Sequence, residues 1–147
     1  MAIDDHHLEH AMRTLGTSLL DLELTPRIGD AMDLSGGFAW AGVAQVSGDF
    51  KGGFAIRCGN QVAEALAQGL LQETGKLSDD VLQGTLVELT FLAAGALLPL
   101  MEGQVSLAPA RAMQGAAVTS LGSTSKVEAR STHDVAGGTL EFSLFRS

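Results

Sequence analysis

Cysteine is almost absent from this sequence of 147 residues, in which Cys58 is the only example. A single thiol cannot form an intrachain disulfide or a cysteine-based zinc cluster, so a disulfide framework and a zinc-finger fold are excluded. Cys58 ends a segment that has the pattern of a strand. We therefore expect its thiol to be packed in the core and not to act as a nucleophile.

Basic residues are also scarce, since 9 Lys and Arg against 17 Asp and Glu give a formal net charge of −8. Such a chain lacks the positive surface that DNA and RNA binding requires, and it has no basic amphipathic segment suited to an anionic membrane. We predict neither a nucleic-acid nor a membrane partner. The negative charge favours solubility and the attraction of a basic patch on a protein partner.

The first ten residues, MAIDDHHLEH, lack the basic and apolar regions of a signal peptide, so we expect a cytoplasmic protein. Repeats, low-complexity segments and clear linkers are missing too. A hydrophobic content of 46% is enough for a substantial core at this length. We therefore predict a single domain over residues 1–147.

What the sequence does have is one long apolar segment, residues 79–98, which predicts the central helix of the domain. Ser78 suits the N-cap position, and carboxylates follow it at the positive end of the helix dipole. A charged residue at the centre of a membrane span costs roughly 3 kcal/mol, so Glu88 favours a buried helix over a membrane span. Helical spacing marks a buried face made of Leu82, Leu86, Leu89, Ala93 and Leu97.

Glu88, the one ionisable residue in the middle of this helix, lies away from the leucine face. At 100° per residue, Gly84 lies roughly 40°, Phe91 roughly 60° and Gly95 roughly 20° from it. Each glycine costs roughly 1 kcal/mol of helix propensity relative to alanine. One interpretation is that the glycines admit a neighbouring helix or strand while Glu88 points to water. The other is an open helix face for a partner, with Glu88 as its charged contact.

The remaining segments predict helices first and strands last. Helices are expected at 5–22 and from Asn60 to Gly75, and a β-hairpin is expected from strands at 38–46 and 53–58. Strand-like segments follow at 105–113, 116–121, 126–132 and 139–144, with a turn at 122–124 and with Pro109 limiting the first of them to a sheet edge or an irregular segment. This order predicts an α+β fold: an antiparallel sheet with two long helices packed on one face, plus an N-terminal helix. Exposed strand edges favour a symmetric dimer.

Two histidine patterns suggest chemistry but are better explained without it. His6 and His10 lie one helical turn apart, yet no third metal ligand is evident, so we expect surface histidines and no metal site. His133 and Asp134 precede Ala136-Gly137-Gly138. We place this pair in a connecting loop, as polar loop residues and not as a proton-transfer site.

Three segments together resemble one known family. The hairpin VSGDFKGGFAIRCG at 46–59, the helix with Glu88 and Gly95, and PARAMQG at 109–115 are similar to segments of the CheC/CheX/FliY chemotaxis phosphatases, and most of all to CheX. The resemblance implies a homodimer that removes phosphate from the aspartyl-phosphate of a CheY-type response regulator. It also implies no cofactor, because the regulator carries its own Mg²⁺.

The family motif is an acidic residue or Ser, then Glu four positions on, then Asn three positions beyond. Glu88 matches the Glu, which makes it the catalytic candidate, but Gly84 and Phe91 stand at the other two positions. In the family the Asn is thought to orient the attacking water, and a phenyl ring cannot do so. We therefore predict a partner-binding face of Gly84, Glu88, Phe91 and Gly95. Phe91 is interpreted either as an exposed apolar anchor or as a core residue on a rotated helix.

Three functions remain open at this point. The first is a CheX-like protein that binds a phosphorylated CheY-type regulator with degenerate or weak phosphatase activity. The second is an active phosphatase that uses Gln83 or Thr90 as a replacement group, although these lie roughly 140° and 160° from Glu88 around the helix. The third is a non-catalytic dimerisation or structural module.

Overall fold

The computed structural model describes residues 3–26, 38–115, 117 and 126–147. The helices are Asp5–Leu15 (α1), which continues as a π-helical segment at Gly16–Leu20, Asn60–Leu71 (α2), and Asp79–Leu97 (α3), which continues as a 3₁₀ turn at Leu98–Leu100. The strands are Thr25–Pro26 (β1), Trp40–Gly48 (β2), Gly52–Cys58 (β3), Val105–Leu107 (β4), Arg111–Gln114 (β5), Lys126–Val135 (β6) and Gly138–Arg146 (β7).

The described strands form one antiparallel sheet in the order β1-β6-β7-β3-β2-β4, and β5 also pairs with β2. β4 and β5 share the outer edge of β2, where Val46 lies opposite Leu107 and Trp40 opposite Gln114. The residues around Pro109 separate them, because proline cannot donate a ladder hydrogen bond. The predicted edge position of this segment is confirmed.

The helices cover one face of the sheet, with α3 in contact with both α1 and α2. Alternate strand residues such as Phe54, Ile56 and Phe142 form the core beneath them. Gly42 lies where α3 packs closely on the sheet, since a Cβ there would be 2.8 Å from the carbonyl oxygen of Leu86. The predicted α+β architecture is confirmed.

Two predicted helix ends are wrong. The regular α-helix of α1 stops at Leu15, and the π-helical segment then ends at Leu20, before the predicted end at residue 22, because the cap residue Asp21 is left-handed with φ 52°. α2 ends at Leu71 and not at Gly75, because Gln72 takes the left-handed cap conformation with φ 56° and donates its N–H to Gln68. The side-chain amide of Gln72 also donates a hydrogen bond to a backbone carbonyl in the last helical turn, so this end of the helix is satisfied without a glycine cap.

The placement of His133 and Asp134 in a loop is also wrong, because both lie in β6. The connection to β7 is a two-residue turn, Ala136-Gly137, with positive φ at both residues. The His133 ring is buried, and its Nε2 lies 3.0 Å from Ser131 Oγ. Burial lowers the pKa of His133, so the neutral ring is favoured here.

Parts of the prediction fall outside the described residues. These are the predicted strand at 116–121, apart from residue 117, and the predicted turn at 122–124. Within the described residues, Asp79–Leu100 is long and apolar enough to cross a membrane by length and composition alone, and 44% of its most apolar window is buried inside the fold.

Candidate functional site

The start of α3 is fixed by its capping residues, as predicted. Ser78 is the N-cap, and its hydroxyl accepts a hydrogen bond from the backbone N–H of Val81 at 3.4 Å. Asp79 and Asp80 occupy the first turn, where the helix dipole favours negative charge. These contacts fix the residue at which the helix begins.

One face of α3 is packed into the core. The buried residues are Leu82, Thr85, Leu86, Leu89, Thr90, Ala93, Ala94 and Leu97. All five residues of the predicted leucine face are among them, so that prediction is confirmed. Packing on both the sheet and the neighbouring helices leaves only the opposite face of α3 available for contacts with another molecule.

The opposite face carries the predicted partner-binding residues, and all four are exposed: Gly84, Glu88, Phe91 and Gly95. Nothing lies within 4 Å of where a Cβ would stand at either glycine. The glycines therefore do not admit another element of the described chain, and Glu88 points to solvent, as the first interpretation expected of it. Phe91 is 45% exposed, which excludes the interpretation of Phe91 as a core residue.

Leu92 belongs to the same face and was missed by the sequence analysis. Its side chain is 41% exposed, and it stands one helical turn beyond Glu88. Around the helix axis, Phe91 lies to one side of Glu88 and Leu92 lies roughly 40° to the other side. Glu88 is therefore followed along the helix by two exposed apolar side chains, an arrangement suited to a protein contact with one charge and two anchors.

The helix offers no obvious substitute for the missing Asn beside Glu88. Thr90 is buried, its hydroxyl faces Gly42 of the sheet, and it has no hydrogen-bond partner among the described residues. Its proposed role as a replacement group is therefore wrong, because it cannot reach solvent. Gln83 is exposed but lies well round the helix from Glu88.

The other candidate residues lie elsewhere. His6 and His10 are exposed on α1, as predicted, and the described residues bring no group of three metal-ligating side chains together. Cys58 is fully buried at the end of β3, and burial raises the pKa of its thiol to about 12. A thiol with so high a pKa is unreactive at neutral pH, which confirms a packing role.

A buried ionic cluster on the sheet was not foreseen. Glu141 is 1% exposed and accepts a hydrogen bond from Arg57 Nε at 2.8 Å, while Arg130 Nε lies 3.3 Å from its other oxygen. A carboxylate is tolerated in such a place only with charged partners. Arg57 and Arg130 belong to the strands on either side of β7, so the cluster joins three neighbouring strands.

Comparison with known proteins supplies structural likeness only. No family model matches the sequence, and no curated protein matches it significantly. The fold is similar to that of CheX in a CheX–CheY–BeF₃–Mg²⁺ complex from Borrelia burgdorferi, with a TM-score of 0.78, 17% identity, and 99% of this chain and 100% of that chain covered.

Two further solved structures extend the likeness. A CheC-like superfamily protein from Shewanella sp. PV-4 has a TM-score of 0.73 and 16% identity, with 100% of both chains covered. FliY from Thermotoga maritima has a TM-score of 0.55 and 12% identity, with 100% of this chain and 92% of that chain covered. This chain thus has the fold of the CheC/CheX/FliY chemotaxis proteins.

Proposed function

We propose that this chain is a CheX-like chemotaxis protein that docks on the phosphorylated receiver domain of a CheY-type response regulator, with little or no phosphatase activity. The observation that carries the proposal is the exposed face of α3, on which Glu88 stands beside Phe91 and between two bare glycines. The similar CheX from Borrelia burgdorferi forms a complex with CheY, which supports the class of partner.

The docking part of the proposal rests on the shape and chemistry of the face. Phe91 and Leu92 expose large apolar surfaces, and aromatic side chains are frequent anchors at protein interfaces. Gly84 and Gly95 leave the helix backbone uncovered, so a partner can approach it closely. Glu88 supplies one charge for a specific pair, and the resemblance assigns it to a lysine of the regulator.

The weak-hydrolysis part rests on what the face lacks. The resemblance assigns orientation of the attacking water to an Asn at position 91, and the phenyl ring there has no hydrogen-bonding atom. Thr90 is buried and Gln83 lies on another side of the helix, so neither replaces that group. Loss of a positioned polar group lowers a rate by about two to four orders of magnitude.

The remaining partner assignments are part of the same proposal. Mg²⁺ is carried by the regulator, and the chain works in the cytoplasm without a cofactor of its own. A homodimer follows from the resemblance and from the sheet edge at β6, where, among the described residues, β1 pairs with His133 and Asp134 alone. Light scattering at several concentrations tests it, and a mass that remains that of one chain would contradict the dimer.

The experiment mixes the chain with a CheY-type receiver charged by acetyl phosphate and follows both binding and phosphate loss. We expect binding without faster loss of phosphate, and at least about tenfold weaker binding for Glu88→Ala or Phe91→Ala. Gln83→Ala, an exposed change on the same helix, is the matched control and should bind as the wild type does.

Two outcomes favour the other functions. Rapid loss of phosphate that disappears in Glu88→Ala would identify an active phosphatase. A folded chain that neither binds the receiver nor changes its dephosphorylation would favour the structural or dimerisation module.

A further inference from the structure

His133 differs from the other three histidines of the chain because its ring is fully buried. Its Nδ1 lies 3.4 Å from the backbone carbonyl oxygen of Leu24, and its Nε2 lies 3.0 Å from Ser131 Oγ. A carbonyl oxygen only accepts hydrogen bonds, so Nδ1 carries the proton and Nε2 accepts from the Ser131 hydroxyl. The two contacts satisfy both nitrogens of a neutral ring and fix its tautomer.

The ring is covered at the edge of the sheet by residues 24–26. Leu24 is 2% exposed, and the two β1 residues that follow it pair with Asp134 and with His133 itself. β1 is the last described strand on this side of the sheet. Departure of these residues from β6 therefore opens the ring to water.

The described contacts hold β1 to the sheet over a short distance. β1 is two residues long, and Pro26 has no N–H to donate to a ladder bond. Segments with few ladder bonds open locally at a lower cost in free energy than core strands do. The hydrogen bond from His133 to the Leu24 carbonyl is therefore a substantial part of what keeps residues 24–26 in place.

The closed arrangement disfavours a charge on the ring. Burial lowers the pKa of His133 and outweighs the carbonyl of Leu24 and the carboxylates of Glu9 and Asp134, which favour the charged ring. The guanidinium of Arg13 opposes the charge as well. Glu9 and Arg13 act from α1, Asp134 acts from β6, and the covering residues contribute the carbonyl of Leu24.

Protonation is therefore linked to opening. A protonated Nε2 no longer accepts from Ser131, whose hydroxyl must turn its hydrogen away. A hydrated histidine has an ordinary pKa of 6.5. Because the closed ring binds a proton less readily than the open ring, the closed state keeps its full stability above about this pH and loses stability as the pH falls below it.

We propose that residues 24–26 form a pH-sensitive latch on the edge of the sheet, which stays closed over a neutral His133 and opens when the ring is protonated. Opening leaves β6, which is ten residues long, at the edge of the sheet. An exposed strand edge favours pairing with another strand. The latch thus couples the availability of this edge to pH, and it is independent of the receiver contact proposed for α3.

Thiol labelling at two pH values tests the latch. Leu24→Cys places a thiol at a buried position of the latch, and Glu23→Cys places one at the exposed position beside it. Dividing the first labelling rate by the second at each pH removes the intrinsic pH dependence of thiol reactivity. From pH 7.5 to pH 5.5 this ratio should rise by up to about tenfold, the limit set by an open-state pKa of 6.5. With His133→Gln added to both chains the ratio should stay constant, because an amide does not titrate.

Controls separate the latch from other effects of acid. His10→Gln removes an exposed histidine and should leave the rise intact. His133→Phe, which does not titrate either, replaces His133→Gln if that variant does not fold. A constant ratio in the chain that retains His133, or an equal rise in the non-titrating variant, would overturn the inference. Labelling of the fully buried Cys58 in step with position 24 would overturn it too, because the whole chain would then be unfolding.

Discussion

The buried and exposed faces of α3 differ in the kinds of residues that they carry and in whether packing explains them. The buried face, represented by Leu86 and Leu89, is filled with aliphatic side chains that pack against the sheet and the other helices. The exposed face combines two glycines with Glu88, Phe91 and Leu92. Glycine lowers helix propensity, and large apolar side chains that stay exposed contribute little to the stability of the folded chain.

On the proposed function, the buried face of α3 serves folding and the exposed face of the same helix serves binding. Packing explains every large residue of the buried face, so changes there should act on stability. Folding does not explain the bare backbone at Gly84 and Gly95 or the exposed ring of Phe91, so changes there should act on the contact with a partner. Substitutions on the two faces of the same helix should therefore have different effects: on stability for the buried face and on partner binding for the exposed face.

The largest effect should come from Leu86→Ala on the buried face. Leu86 is fully buried, so truncation leaves a cavity and should lower the free energy of unfolding by about 2–5 kcal/mol. Leu92→Ala removes the same atoms from the exposed face and should change it by about 0.5 kcal/mol or less. Denaturant unfolding of both variants measures the difference. Similar losses would show that the two faces are not distinct in packing.

A smaller but more specific effect should come from restoring the polar residues of the family motif. In Phe91→Asn/Gly84→Ser the new amide stands beside Glu88 and is exposed to the solvent from which the attacking water comes. If the face docks in the geometry that the resemblance implies, loss of phosphate from a CheY-type receiver should accelerate by about tenfold or more. Decay of the phosphorylated receiver measures this.

The comparison for that variant is Gln83→Asn/Gly84→Ser, which makes the same change at position 84 but places the Asn amide on a different side of the helix and leaves Phe91 in place. It should remain as inactive as the wild type. A doubly substituted chain at positions 84 and 91 that folds and binds the receiver without any gain in phosphate loss would contradict the assumed docking geometry.

The sequence predicted most of the fold because the relevant signals are local. The Ser78 cap and the apolar period fixed the start and the rotation of α3, and alternation fixed the strands that form the core. The failures have equally physical causes. Gln72 ends α2 in the left-handed conformation that glycine usually takes. The turn after β6 has only two residues, 136–137, so His133 belongs to the strand and not to a loop.

The candidate site was predictable to the extent that it is a helix face. Exposure of Glu88 and Phe91 follows from their angle to the leucines, and Leu92 was available from the same calculation. The cluster around Glu141 was not, because Arg57 lies far from it in the sequence and both arginines meet the carboxylate only through the strand register.

The central claim is that the exposed face of α3 is the docking surface, and cysteine labelling tests it most directly. Gly95→Cys places a thiol in open space on that face, while Cys58 is fully buried with a pKa of about 12 and should not react. With 90% of the chain bound to the activated receiver, labelling of Gly95→Cys by a maleimide should slow about tenfold, because only the free fraction reacts. Labelling of Gln83→Cys should stay at its unbound rate. Equal labelling of Gly95→Cys with and without bound receiver would contradict the account.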